Sequence, residues 1–167
     1  MITIIDGLGQ VGECLRTKIQ DRIFKRPALV YHTWSPWDKG YNVQRDEYLK
    51  FKDFVDEHRG ERIIFVSTYS QNNNYYVHYK QKSEAYLIAN CEFGFAIRLP
   101  NLIGNKGIFK KLKEKQALPY GSMELMRVEQ AAEQVLDLVN YDGVVRLHTA
   151  KGEEVSASII NELIHKI

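Results

Sequence analysis

The chain has 167 residues, 44% hydrophobic and 26% charged, with a formal net charge of +2. That length suits one domain with a real core, and that balance excludes a disordered or collagen-like chain and offers no bulk charge to attract nucleic acid. No apolar run approaches membrane-spanning length and Met1 leads straight into a strand-like run, so a cytoplasmic protein with no membrane partner is expected. Cys14 and Cys91 are isolated and lie in apolar segments, which reads as two reduced, buried thiols. His58, His78, His148 and His165 have no ligand spacing, and no metal site is expected.

The elements alternate from the start. Ile2-Thr3-Ile4-Ile5 is a predicted strand, closed by Gly7-x-Gly9-x-x-Gly12. A helix is predicted over residues 10–24, with Val11, Leu15, Ile19 and Ile23 at helical spacing. Residues 27–32 form a second strand, and residues 42–58 a helix turning Leu49, Phe51, Phe54 and Val55 inward. A third strand spans 62–66, followed by a polar loop at 71–74 and a helix over 76–90; a fourth strand spans 93–99. Residues 105–122 are less regular, and Lys106, Lys110, Lys111, Lys113 and Lys115 there read as a solvated helix face. A helix over 128–139, a strand over 143–148 and a helix over 156–167 close the chain. Strands separated by helices imply a parallel sheet covered on both faces, with ligands at the carboxyl ends of its strands.

Two motifs carry chemistry. Gly7, Gly9 and Gly12 stand after a strand and open a helix, where glycines permit a tight turn, close approach of a pyrophosphate and close helix–strand packing. The acidic residue expected about twenty positions on, to hold a ribose, is missing; that strand ends His32-Thr33-Trp34-Ser35. Tyr76-x-x-x-Lys80 places a phenol and an amine one turn apart, with Ser67-Thr68 at the end of the strand before and Glu84 four residues on. A strand-end hydroxyl, a Tyr/Lys pair one turn apart on a helix and a glycine turn at the N-terminus together point to nicotinamide-dependent redox chemistry. The phenol would exchange a proton with a carbonyl oxygen, and the lysine cation would lower its pKa. Trp34 and Trp37 sit where they would either stack on a base or sugar or seal the core, and sealing is the favoured reading.

Residues 28–104 resemble the extended short-chain dehydrogenases/reductases, the family of nucleotide-sugar epimerases, dehydratases and 4-ketosugar reductases. The resemblance rests on Leu29-Val30-Tyr31-His32, similar to the family's third strand, on Asn42-Val43, on Phe65-Val66-Ser67-Thr68, and on Tyr76, Lys80 and Glu84. Arg98-Leu99-Pro100-Asn101-Leu102-Ile103-Gly104 is similar to its Arg-x-x-Asn-x-x-Gly turn, and residues 145–164 to its closing strand and helix. It implies an α/β, reduced Rossmann-type three-layer fold, one NAD(P)-binding domain over 1–167 with a mostly parallel sheet of about five strands and a trimmed substrate region at about 105–127. It implies that the second strand and its helix are deleted, so that the strand at 27–34 lies directly beside Ile2–Ile5. It also implies NAD or NADP as cofactor, Thr68, Tyr76 and Lys80 as catalytic residues, and Gly7, Gly9, Gly12, His32 and Pro100 at the cofactor. Asn101 would border a substrate pocket for a nucleotide-linked sugar. The glycine turn departs from the family's pattern, with Asp6 where a glycine is usual. The other reading is a non-catalytic binding or assembly module that has lost its adenosine-binding unit, and a homodimer is expected, paired through Tyr79, Tyr86, Leu87 and the helix at 128–139.

Overall fold

A computed structural model describes residues 1–5, 9–35, 38–103, 108–115 and 122–166. The chain runs β1 (Ile2–Ile5), α1 (Gln10–Lys18), β2 (Ala28–Tyr31), α2 (Tyr41–Glu57), β3 (Ile63–Thr68), α3 (Tyr75–Asn90), β4 (Gly94–Leu99) and β5 (Asn101–Ile103). It continues with α4 (Ile108–Lys115), β6 (Ser122–Arg127), α5 (Val128–Asp137), β7 (Leu147–Thr149), β8 (Glu153–Ser156) and α6 (Ala157–Lys166). Five strands form one parallel sheet in the order β1-β2-β3-β4-β7. The fold is α/β and Rossmann-like.

Strand alternation sends side chains to opposite faces and builds two cores. Val30, Ile64, Val66, Phe95 and Ile97 meet Val11 and Leu15 of α1 and Ala131, Ala132 and Val135 of α5 on one face. Tyr31, Ile63, Phe65 and Ala96 meet Phe51 and Val55 of α2 and Leu87 of α3 on the other. Phe51 and Phe65 stack with ring centres 4.4 Å apart, and the edge of Tyr31 meets Phe51 at 4.8 Å. Each such fully buried side chain contributes about 1.5–3 kcal/mol. Cys91 is buried and Cys14 half-buried; both are free thiols.

Two inward residues of the sequence pattern turn out. Helix α1 passes into a single 3₁₀ turn at Ile19–Asp21 and stops, leaving Ile23 90% exposed. There the chain is tied by charge instead to α5 and the segment after it: Arg22 pairs with Glu133 (3.1 Å) and Asp137 (2.5 Å), and Arg26 with Asp142 (2.5 Å). Leu49 of α2 is exposed, and Tyr48 is buried in its place beside Tyr79.

The strand order corrects one expectation. β2 does lie directly beside β1, with Ile2 opposite Ala28 and Ile5 opposite Tyr31. In the doubly wound order 3-2-1-4-5-6, however, the third and fourth strands lie on opposite sides of the first, so a third strand beside β1 would leave β1 between β2 and β3. Since β2 sits between β1 and β3, it holds the fourth strand's place, not the third's. Among the described residues the connection from β1 to β2 contains α1 and no strand, so no unit lies outside β1 and β1 is an edge there.

A second sheet escaped the sequence reading. β5 pairs parallel with β6, and β6 antiparallel with β8. Leu125 of β6 packs with Ile160 and Ile164 of α6, with Leu112 of α4 against them. This small sheet stands over the carboxyl ends of β3 and β4, because β5 follows β4 after Pro100 alone. Among the described residues no helix is long and apolar enough to cross a membrane.

Candidate functional site

A cleft of about 1040 Å³ opens between the carboxyl ends of the parallel strands and the second sheet, and it brings together His32, Thr68, Tyr76, Lys80, Pro100 and Asn101. Local chemistry sets the positions. Asn74 caps α3 by accepting from the Val77 N–H (2.9 Å), which fixes the first turn carrying Tyr76. Thr68 ends β3, where its hydroxyl accepts from the Ser70 N–H (3.1 Å) and stands near enough to the Tyr76 phenol to lower its pKa. One turn on, Lys80 is 5% exposed and its Nζ donates to the Val66 carbonyl (2.9 Å). The same nitrogen lies 4.7 Å from the Trp34 ring centre, 4.9 Å from Phe65 and 5.8 Å from Tyr76.

These surroundings decide the protonation states. A ring face gives an ammonium about 0.5–2 kcal/mol, whereas withdrawing it from water costs several. Burial therefore wins over the pull of Glu84 and Glu47, and the Lys80 pKa falls to about 7. Burial also pushes the Tyr76 phenol up to about 12, opposed by the nearby Thr68 hydroxyl. The expected lowering of the phenol by a lysine cation is thus reversed. A lysine with a pKa near 7 carries only part of a charge at neutral pH, too little to offset the phenol's own desolvation.

Glu84 is committed elsewhere. It accepts from Ser67 Oγ (2.5 Å) and from Arg98 Nε (3.0 Å) and Nη2 (2.7 Å), with its side chain 4% exposed. This buried pair ties α3 to β3 and β4 beneath the cleft and raises the Arg98 pKa. Gln44, fully buried in the first turn of α2, is a residue the sequence did not single out. It accepts from Trp34 Nε1 (2.7 Å) and donates to the carbonyls of Ser35 (2.8 Å) and Asp38 (2.6 Å), pinning the loop after β2. Trp34 thereby seals the core against Phe65 while walling the cleft. Trp37 and Asp6 lie outside the described residues.

The glycine turn is described from Gly9 onward. Gly9 stands at the N-cap of α1 with φ −79° and no side-chain cap, so neither backbone conformation nor capping requires glycine there. A Cβ at Gly9 would reach the His32 ring only at an ordinary 3.6 Å. Gly9 itself does not line the cleft, whereas Gln10 and Val11 beside it do. Gln10, at the same helix start, lines the cleft with a buried Oε1 that has no hydrogen-bond partner among the described residues. Gly12 is buried within α1 and does not line the cleft, and Gly7 lies outside the described residues. Among the described residues no strand pairs with β1 on the side away from β2.

From the second sheet, Met123, Glu124 and Glu154 complete the far wall. Glu124 accepts from the Gly152 N–H (2.9 Å) and stands opposite Glu154 across the β6–β8 pair. The alternation in Ser122-Met-Glu-Leu-Met-Arg was the sequence signal for this strand, masked by the irregular stretch before it. The faces expected to pair two copies are also corrected. Tyr79 and Leu87 are buried within the chain, and α5 lies across the sheet from α3.

No family model matches the sequence, and no curated protein matches it. Solved structures do match. A UDP-N-acetylglucosamine 4-epimerase from Bacillus cereus superposes with a TM-score of 0.78 at 13% identity, over 99% of this chain and 80% of that one. The Bordetella bronchiseptica enzyme WbmH, solved with NAD+, gives 0.71 at 14% identity over 98% and 78%. A dTDP-4-dehydrorhamnose reductase from Bacillus anthracis, solved with NADP, gives 0.74 at 10% identity over 99% and 80%. The fold is theirs. At these identities the likeness speaks for architecture, and activity has to be argued from the cleft.

Proposed function

We propose that the chain is a short-chain-type, NAD- or NADP-dependent reductase or epimerase acting on a nucleotide-linked or related sugar. The observation that carries this reading is the convergence of Thr68, Tyr76 and Lys80 in one cleft, with the phenol held neutral. When bound, the cofactor supplies or accepts hydride. A neutral phenol suits the reductive direction, because Tyr76 can give its proton to the substrate carbonyl oxygen as negative charge builds there. Thr68 shares that oxygen by hydrogen bonding, and Lys80 refills the phenolate or steadies it as an ammonium. The α1 N-terminus at Gly9 would receive the pyrophosphate, His32 and Pro100 would flank the cofactor, and Asn101 would border the sugar. The named activities of the similar structures, on UDP- and dTDP-sugars, favour a nucleotide-linked substrate.

A second reading, a binding or assembly module without turnover, is favoured by β1 being an edge among the described residues. Pairing of two copies would then use the outer face of α2 and α3, where Tyr41 and Tyr75 are exposed with ring centres 5.4 Å apart and Leu49 stands nearby on α2. Fluorescence titration with NADH and NADPH separates the two. Loss of a ribose carboxylate removes one or two charge-assisted hydrogen bonds of about 1.5–3 kcal/mol each, about one to two decades of affinity per bond, so weak but measurable binding is expected. Turnover of a 4-keto sugar nucleotide should vanish in Tyr76→Phe with the fold intact. No response to either cofactor decides for the module.

A further inference from the structure

We infer that the Lys80 amine is itself a carbonyl-capturing nucleophile, condensing with an aldehyde or ketone carbon in the cleft to form an imine without any cofactor. It shares its site with the reading above but needs neither hydride nor dinucleotide, so the two can fail separately. Lysine works as a nucleophile where an apolar enclosure keeps it unprotonated. Lys80 has that enclosure: Trp34 and Phe65 wall its Nζ at 4.7 and 4.9 Å, and Gln44 locks Trp34 in place. Its one hydrogen bond recorded among the described residues goes to a neutral carbonyl, Val66 O, while the nearest carboxylate along its helix, Glu84, is held by Arg98 and Ser67. The titratable and charged groups around it are Tyr76 and Glu84 on α3, Glu47 on α2, His32 and Lys39 in the connection after β2, and Arg98 on β4 behind Glu84. With its pKa near 7, a large share of Lys80 is free amine at neutral pH.

The step balances within these groups. The nitrogen lone pair attacks the carbonyl carbon, and the C=O electron pair moves to oxygen, which takes the Tyr76 proton. The nitrogen then gives a proton back to the phenolate, leaving a neutral carbinolamine. Tyr76 protonates the hydroxyl a second time, the C–O bond breaks, water leaves and the C=N bond forms. The last nitrogen proton returns to Tyr76. Amine and carbonyl become imine and water, with no net oxidation.

The test is reductive trapping on the full chain, with glyceraldehyde and cyanoborohydride at pH 7.5, followed by intact mass and peptide mapping. Lys80 is expected to be labelled at least about tenfold faster than Lys82, its exposed neighbour on the same helix, with a rate that rises through about pH 7. Tyr76→Phe should slow labelling of Lys80 by about a hundredfold, the lower end of general-acid effects, and leave Lys82 unchanged. Lys80→Arg should abolish the fast adduct, and Lys82→Arg should keep it, which covers the case in which the first variant fails to fold. Labelling of Lys80 no faster than Lys82, or labelling confined to surface lysines, overturns the proposal.

Discussion

Replacing Lys80 by Met should make the protein more stable, and by an amount that depends on pH. The amine's pKa falls from 10.5 to about 7 on folding. At about 1.36 kcal/mol per unit, three and a half units set a ceiling of about 5 kcal/mol for the cost of burying this group at neutral pH. Methionine keeps the length and apolar stem but gives up the ring contacts and the bond to Val66 O, so a net gain of about 1–4 kcal/mol is expected, as for other buried charges replaced by apolar side chains. The sign with pH follows from proton counts. The folded pKa lies below the unfolded one, so between about pH 7 and 10 the unfolded chain binds the extra proton, and raising the pH stabilises the wild type. Urea unfolding at pH 7.0 and 9.5 should therefore show the advantage of Lys80→Met shrinking by about 3 kcal/mol, with no such trend below pH 6. A variant less stable than wild type at pH 7, with a difference indifferent to pH, would refute the account of Lys80 as a desolvated amine.

Arg98→Leu strands the Glu84 carboxylate in the core and should cost about 3–5 kcal/mol in urea unfolding; Glu84→Gln added to it should recover part of the loss, and a single-variant cost under about 1 kcal/mol would remove the pair from the framework. Asn74→Ala removes the N-cap of the helix carrying Tyr76 and should cost about 1 kcal/mol, read by the same melt. Gln44→Leu leaves the Trp34 indole and two carbonyls without their partner and should cost about 1–3 kcal/mol, together with a shift in Trp34 fluorescence, since the indole N–H loses its acceptor.

The order of the main elements was legible because local rules govern it. Alternation made β1 to β4 visible, helical spacing made α2, α3 and α5 visible, and the positions of Thr68, Tyr76 and Lys80 at a strand end and on the next helix follow from those two periods. Where a local pattern had two readings, the contacts chose. Ile23 fits a helical stripe by spacing, but its helix ends at Asp21, and Leu49 lies outside while Tyr48, one residue before it, packs inside. What only the tertiary structure decided is non-local. Nothing in Ala28–Tyr31 says whether it will hold the third or the fourth strand's place of the doubly wound order, since strand pairing is made by residues far apart in the chain; the pairing with both β1 and β3 settles it and leaves β1 as an edge among the described residues. The second sheet joins β5, β6 and β8 across some fifty residues for the same reason. The protonation of the site is non-local too. A Tyr-x-x-x-Lys spacing sets the distance between phenol and amine, but their pKa values depend on how much water the fold removes, and Trp34, Phe65 and Gln44, brought in from other elements, remove nearly all of it around Lys80.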